Sequence, residues 1–248
     1  MKRPQWLVAP AFILAALAAW EVVVRALGVP AYLLPAPSAI ITSMDAALLR
    51  HFATTLGEAL SGFVLASGLA FLAALAFVRS PTLERGLFPL AVTLKTTPLV
   101  AIAPLLVLWL GTGWASKVAA AGLICFFPVL VNAVRGLKAA DVDYRELFRT
   151  MNASPGQEFR KLRIPFALPY LYSALKVSSS LAIVGAIVGE FVGATQGLGY
   201  LIVLSSSHLE TDVLFSAIFA AALAGIAVFQ ALGWIERRAV FWQEAQAE

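Results

Sequence analysis

Residues 135–163, RGLKAADVDYRELFRTMNASPGQEFRKLR, carry 11 of the 32 charged residues of a 248-residue chain that is otherwise 60% hydrophobic. The mean hydropathy of +0.86 is spread unevenly, in long apolar runs that leave this island between them. Six runs, 6–27, 55–78, 87–110, 115–134, 168–192 and 212–235, come near the ~20 residues that cross a bilayer as a helix. Backbone groups in lipid must be satisfied within the segment, and no ten-residue alternating strands recur, so the fold class is an all-α polytopic membrane protein. The island lies outside the bilayer, where a partner can bind it.

Basic residues set the orientation. With the N-terminus in the cytoplasm, 13 of the 18 lysines and arginines fall inside: Lys2, Arg3, Arg79, Arg85, Arg135, Lys138, Arg145, Arg149, Arg160, Lys161, Arg163, Arg237 and Arg238. Arg25, Arg50 and Lys117 fall outside, and Lys95 and Lys176 within runs. This asymmetry follows the positive-inside rule and places both termini and residues 135–167 in the cytoplasm. It also accounts for the net charge of +4 without a nucleic-acid partner. The lone Cys125 excludes an intramolecular disulfide and a cysteine metal cluster, and reads as a small buried hydrophobe.

The island divides at Asn152-Ala153-Ser154-Pro155. Before it, Tyr144, Leu147, Phe148 and Met151 share one face at helical spacing. After it, Ser154 caps a second short helix with Pro155 at its first position. Two short helices joined by a sharp turn would present an apolar ridge rimmed by charge, suited to a groove on a partner. The alternative is a solvated loop with an amphipathic helix at the headgroups. Residues 28–54 read as a Pro-rich turn followed by a short amphipathic interfacial helix containing Asp45, Arg50 and His51.

Within the runs, few polar groups remain. Lys95 lies about eight residues into the third run, ~12 Å at 1.5 Å per residue, so its stem can snorkel to the cytoplasm or face a pathway. Lys95-Thr96-Thr97-Pro98 and Pro104 interrupt that helix, and irregular backbone at membrane depth belongs against protein or a cavity. Thr96, Thr97 and Asn132 are therefore pathway candidates. Glu190, near the outer end of the fifth run, is either a pathway residue or an interfacial one. Gly185, Gly189 and Gly193 recur every fourth residue, beside a stripe of Ala174, Ser178, Ala182 and Ala186. Both allow close helix approach, within one bundle or against a second copy. Glu21 and Arg25 form an i, i+4 pair of structural character.

The stretch from Glu146 resembles the cytoplasmic loop of permeases of ABC importers, whose pattern is E-A-A, three residues, G, nine residues, then I-x-L-P. Here it reads Glu146-Leu147-Phe148, three residues, Asn152, nine residues, Leu162-Arg163-Ile164-Pro165. The spacing is kept. Leu147 and Phe148 replace the alanines, and Asn152 replaces the glycine at a turn whose left-handed backbone asparagine tolerates. LPAPSAI (34–40), TTPLVAIAPLLVLWLGTG (96–113) and VGEFVGATQGLGYLI (188–202) are similar to the same family, so the likeness spans the chain.

The resemblance implies a type I importer permease with six transmembrane helices, residues 1–248 forming one membrane domain and residues 135–167 its coupling insert. Glu146, Leu147 and Phe148, with Ala153 and Ser154, would meet an ATP-binding cassette subunit. Asn152 would form the turn, and Pro165 would restart the next helix. ATP and magnesium would sit on that partner ATPase, with no cofactor in this chain. A second permease copy, as a homodimer, and a periplasmic or lipid-anchored solute-binding protein would complete an inner-membrane importer. The first run follows Lys2-Arg3 and contains Ala16-Leu17-Ala18, as a signal peptide does, but its continuation to Leu27 and the resemblance favour a retained helix.

FRKLRIPFALPYLYSALK, AIVGEFVGATQGLGYLI and ERRAVFW resemble permeases for thiamine-precursor pyrimidines and riboflavin, and nitrate, sulfonate and taurine permeases share the frame. No G-x-x-x-x-G-K-[ST] loop occurs, and His51 and His208 do not make a zinc-ligand spacing. The chain is read as a non-catalytic transport subunit. A membrane-embedded enzyme would need paired carboxylates or a nucleophile with its base near one membrane face, and a passive channel would not need the insert.

Overall fold

Five helices are long and apolar enough to cross a membrane in the computed structural model, which describes residues 8–242, the Leu94 side chain excepted. Lys2, Arg3 and the first two residues of the run 6–27 lie outside the described residues. The first helix, α1 (Val8–Ala26), buries only Val24 and presents apolar side chains on every face, as a helix bathed in lipid does. Its Glu21 carboxylate takes the Ser38 backbone N–H at 3.0 Å, at the start of the short α2 (Pro37–Thr42), and pairs with Arg25 at 2.5 Å.

Residues 46–54 do not make the separate interfacial helix expected of them. Asp45 caps the Leu48 N–H at 2.9 Å and opens α3 (Ala46–Arg79), a single 34-residue helix that carries Arg50 and His51 in its first turns. The cap begins a helix whose apolar stripe runs on without a break, so the chain does not turn again until Ser80.

The third apolar run is broken. Its first half is α4 (Pro81–Lys95) and its second α5 (Leu99–Leu110), separated by Thr96, Thr97 and Pro98. Pro98 has no N–H and disfavours helical backbone in the residue before it, which sets the break there. Pro104, also expected to interrupt, sits inside α5, and the helix continues through it.

The central helix is α6 (Trp114–Lys138), which packs against both α3 and the later α9 (Ile164–Glu190). Its buried Ala121, Cys125, Val129 and Ala133 face Ala59, Ala66, Ala70 and Ala74 of α3 and Ala182 and Ala186 of α9. Helices in lipid associate by close packing rather than by escape from water, so small residues dominate these seams. A Cβ on Gly62 would stand 2.7 Å from the Ala121 Cβ and 2.8 Å from the Gly122 nitrogen. The two backbones touch at that point.

After α6 the chain forms α7 (Val142–Thr150), turns, and enters α8 (Pro155–Glu158). It was expected to close a second short helix and restart at Pro165. Instead α8 passes through a π-helical turn at Phe159–Arg163 into α9 (Ile164–Glu190), giving one helical run over Pro155–Glu190. In that turn the Ile164 N–H reaches back to the Phe159 carbonyl. Pro165 can donate nothing to Lys161 and its ring would crowd that carbonyl, and the wider turn relieves both defects.

Residues 193–211, between the fifth and sixth apolar runs, contain α10 (Leu198–His208), which lies on α9, α3 and the helix that follows it. The last helix, α11 (Thr211–Ala239), takes Trp20 of α1 against Phe215, with ring centroids 5.7 Å apart.

Candidate functional site

Three places on this frame hold the polar groups, one at the α7 end of the bundle, one at the break between α4 and α5, and one at the end opposite α7.

At the first, Asp141 caps the Val142 N–H at 2.8 Å and starts α7. None of its residues is buried. Glu146 and Leu147 are exposed and Phe148 is half-buried, while Met151 is 71% exposed just beyond the helix. Asn152 takes φ +52, the left-handed backbone its place in the motif implies. A carbonyl of α7 is closed by the Ala153 N–H, which reaches Phe148 at 3.0 Å. Ser154 then makes a full capping box, accepting from Gln157 N at 3.3 Å while its own N–H donates to Gln157 Oε1 at 2.8 Å. Arg145 and Arg163 both donate to Glu158, at 3.3 and 2.9 Å, which ties α7 to the foot of α9. An open cleft of about 730 Å³ lies beside this turn, lined by Tyr144, Phe166, Pro169, Tyr170 and Trp242. The element is a pre-shaped hairpin whose Leu147 and Met151 stay exposed, while Tyr144 meets Phe166 of α9 with ring centroids 5.7 Å apart.

At the break, Lys95, Thr96 and Thr97 are all exposed. Thr96 spends its hydroxyl on the Thr93 carbonyl at 2.7 Å. A cavity of about 240 Å³ opens beside Lys95 and Thr97 toward Ile124, Phe127 and Leu181. Asn132 lines neither this cavity nor the neighbouring cleft around Arg135, because its amide donates to the Pro128 carbonyl one turn back at 2.8 Å.

At the end opposite α7, Glu190 is 1% exposed and is not in the same place as Lys95 and Thr97. It receives the Thr55 hydroxyl at 2.6 Å and the Gly199 N–H at 2.5 Å, while Thr55 Oγ1 accepts the Leu198 N–H at 2.7 Å. His51 Nδ1 accepts the Gly197 N–H at 3.0 Å. Together these groups satisfy the open N-terminus of α10, work that a side-chain cap does elsewhere. Glu58, 4% exposed, lies beside Glu190, and its buried Oε2 has no hydrogen-bond partner among the described residues. Lys117, assigned to the outer side by the basic-residue asymmetry, lies at this same end, 1% exposed, and donates to the Thr112 carbonyl. Sequence reading did not single out Glu58. The available signal was a carboxyl group inside an apolar run, which is costly in lipid unless protein surrounds it.

The glycine ladder resolves into two parts. Gly185 and Gly189 face α6, where a Cβ would stand 2.7 Å from the Ala121 Cα and 3.2 Å from the Lys117 Cα respectively. Gly193 belongs to neither helix; it follows the end of α9 with φ +68, in the turn that leads to α10. The ladder therefore packs within this chain at its two helical members.

Comparison with known proteins gives the same frame. Residues 66–240 match the family described as binding-protein-dependent transport system inner membrane component. The formylaminopyrimidine transport permease protein ThiX of Halalkalibacterium halodurans is 36% identical over 251 residues, covering 99% of this chain and 100% of that protein. The riboflavin transport system permease protein RibX of Chloroflexus aurantiacus is 33% identical, covering 98% and 93%. Among solved structures, the methionine ABC transporter MetNI in an inward-facing conformation superposes with a TM-score of 0.60 at 21% identity, over 84% of this chain and 98% of that one.

Proposed function

The chain belongs to the binding-protein-dependent transport system inner membrane component family, and on that premise we propose that it carries a heterocyclic nutrient, a thiamine-precursor pyrimidine or a riboflavin-like compound, into the cytoplasm. It is the membrane-spanning permease subunit of an ABC importer and a transport subunit rather than an enzyme. The observation that carries the mechanism is α7, an amphipathic hairpin arm formed and capped by its own chain while Leu147 and Met151 of its apolar ridge stay exposed.

In this reading the α7 end faces the cytoplasm and α7 lies in a groove of a partner ATPase, which binds ATP and magnesium. Glu146 and Leu147 meet the partner, Phe148 braces the arm against the bundle, and Asn152, Ala153 and Ser154 fix the turn. Pro165 sits beyond the turn in the continuous helix, two residues past the π turn. A second copy of the permease and a solute-binding protein complete the assembly. Both termini lie in the cytoplasm, as the basic residues favour. The cargo assignment is supported by the likeness to ThiX along its whole length and to RibX over most of it.

The test is reconstitution of the permease with a cognate ATPase and solute-binding protein. Uptake of formylaminopyrimidine or riboflavin that requires ATP supports the cargo assignment, and uptake of taurine or nitrate in preference to both overturns it. Failure of any ATPase to co-purify overturns the docking role of α7. Labelling of Gly156→Cys, in a Cys125→Ala background, by an impermeant thiol reagent added outside intact cells overturns the orientation.

A further inference from the structure

The depth of Lys95 sets it apart from the other basic residues at the α7 end. Ten residues of helix separate it from Arg85, about 15 Å of rise and half the ~30 Å hydrocarbon thickness. It ends α4 at the break and is exposed, and it forms no ion pair among the described residues. Two cavities meet at its side chain. One is the space of about 240 Å³ it shares with Thr97. The other is a cleft of about 720 Å³ running along α4 and α6 toward the α7 end, lined by Phe88, Arg135 and Tyr170. Lys95 is the residue common to both linings.

The charge along this route is one-sided. Glu84 lies on the wall of the cleft but is paired with Lys138 at 2.5 Å. That leaves Lys95 and Arg135 facing the space, and Arg135 also lacks an ion pair among the described residues. Beyond Lys95, α5 begins at Leu99 without a side-chain cap, so its first N–H groups point the positive end of a helix dipole into the same break. Fixed positive potential between apolar walls attracts anions and hydrogen-bond acceptors and repels cations.

We propose that Lys95, with Thr97 beside it, forms a water-reached subsite on the transport path that takes an anionic or acceptor-rich edge of the cargo and excludes cationic solutes. This rests on the permease reading above and adds the polarity of the cargo that passes. The alternative for such a lysine is a stem lying against lipid with its head drawn to the interface. The two differ in whether water-borne reagents reach the break and in the sign of charge they prefer.

The test uses the complete ATPase-bound importer in membranes, with Thr97→Cys in a Cys125→Ala background. The introduced thiol is reacted separately with an anionic sulfonatoethyl and a cationic trimethylammonioethyl methanethiosulfonate. Adding Lys95→Met should lower the ratio of anionic to cationic rates about tenfold, as expected for removing a unit charge a few ångströms away at the dielectric of a water-filled site, and Lys95→Arg should preserve the ratio. A thiol that neither reagent reaches in the assembled complex overturns the subsite. So does a ratio that Lys95→Met leaves unchanged. The readout uses no transported cargo, so it stands apart from the uptake assay that decides the cargo assignment.

Discussion

Replacing Gly197 by alanine should be among the most damaging single-methyl changes available to this chain. Gly197 has φ +110, a backbone region open almost only to glycine, and holding alanine there costs about 1–3 kcal/mol. The added Cβ would also fall on the carboxyl group of Glu190. That carboxyl must then swing away from Thr55 and from the Gly199 N–H, leaving buried partners unsatisfied at about 1–3 kcal/mol each. The sum is on the order of 5 kcal/mol, comparable to the whole stability of many domains. The assay is unfolding of the purified permease in mixed micelles, run as a cycle of Gly197→Ala, Glu190→Ala and the pair. With the carboxyl gone, the steric part of the penalty disappears and Gly197→Ala costs only its backbone term, so the two changes are coupled by at least about 2 kcal/mol. Additivity within about 0.5 kcal/mol would refute the claim that Glu190 anchors this turn.

Glu146→Lys should leave folding unchanged within about 0.5 kcal/mol because the residue is exposed. If the proposed docking role holds, its reversed charge costs several kcal/mol at the partner contact, read as loss of ATPase retention or of binding-protein-stimulated hydrolysis. Asn152→Gly should be tolerated, whereas Asn152→Val should cost about 1–2 kcal/mol through its left-handed backbone and loosen ATPase binding in pull-down. Gly189→Leu should push α9 off α6 and abolish stable purification; an unaltered melting profile would place that face elsewhere.

What could be read from the sequence was local. The break at Thr96–Pro98, the capped start at Ser154-Pro155 and the turn at Asn152 each follow from a residue's own backbone preferences, so neighbours along the chain suffice to place them. The continuity through Pro165 was not legible because it depends on a π turn, a packing solution with no composition of its own. Nor was α10, whose N-terminus is satisfied by Thr55 and Glu190 from two other helices. The buried setting of Lys117 and Glu58 has the same origin: an ionisable residue in an apolar run announces that protein surrounds it without saying which protein. Of the pathway candidates, Thr97 and Lys95 meet at one cavity while Asn132 and Glu190 spend their polar atoms on backbone or helix-end partners, a division set by tertiary contacts alone.

The unbroken run from Pro155 to Glu190 has a mechanical consequence. Its 36 residues make a rod of about 54 Å, gripped at one end by the hairpin through Glu158 and at the other by α10 through Glu190. Such a rod behaves as a lever: pivoting about its middle by about 10° carries each tip some 4–5 Å, in opposite directions. Any push applied at α7 would thus reappear, reversed, beneath α10. The π turn at Phe159–Arg163, close to the α7 end, is a compliant link, as is Pro169 inside α9, and a loosened ladder there would absorb motion before it travelled.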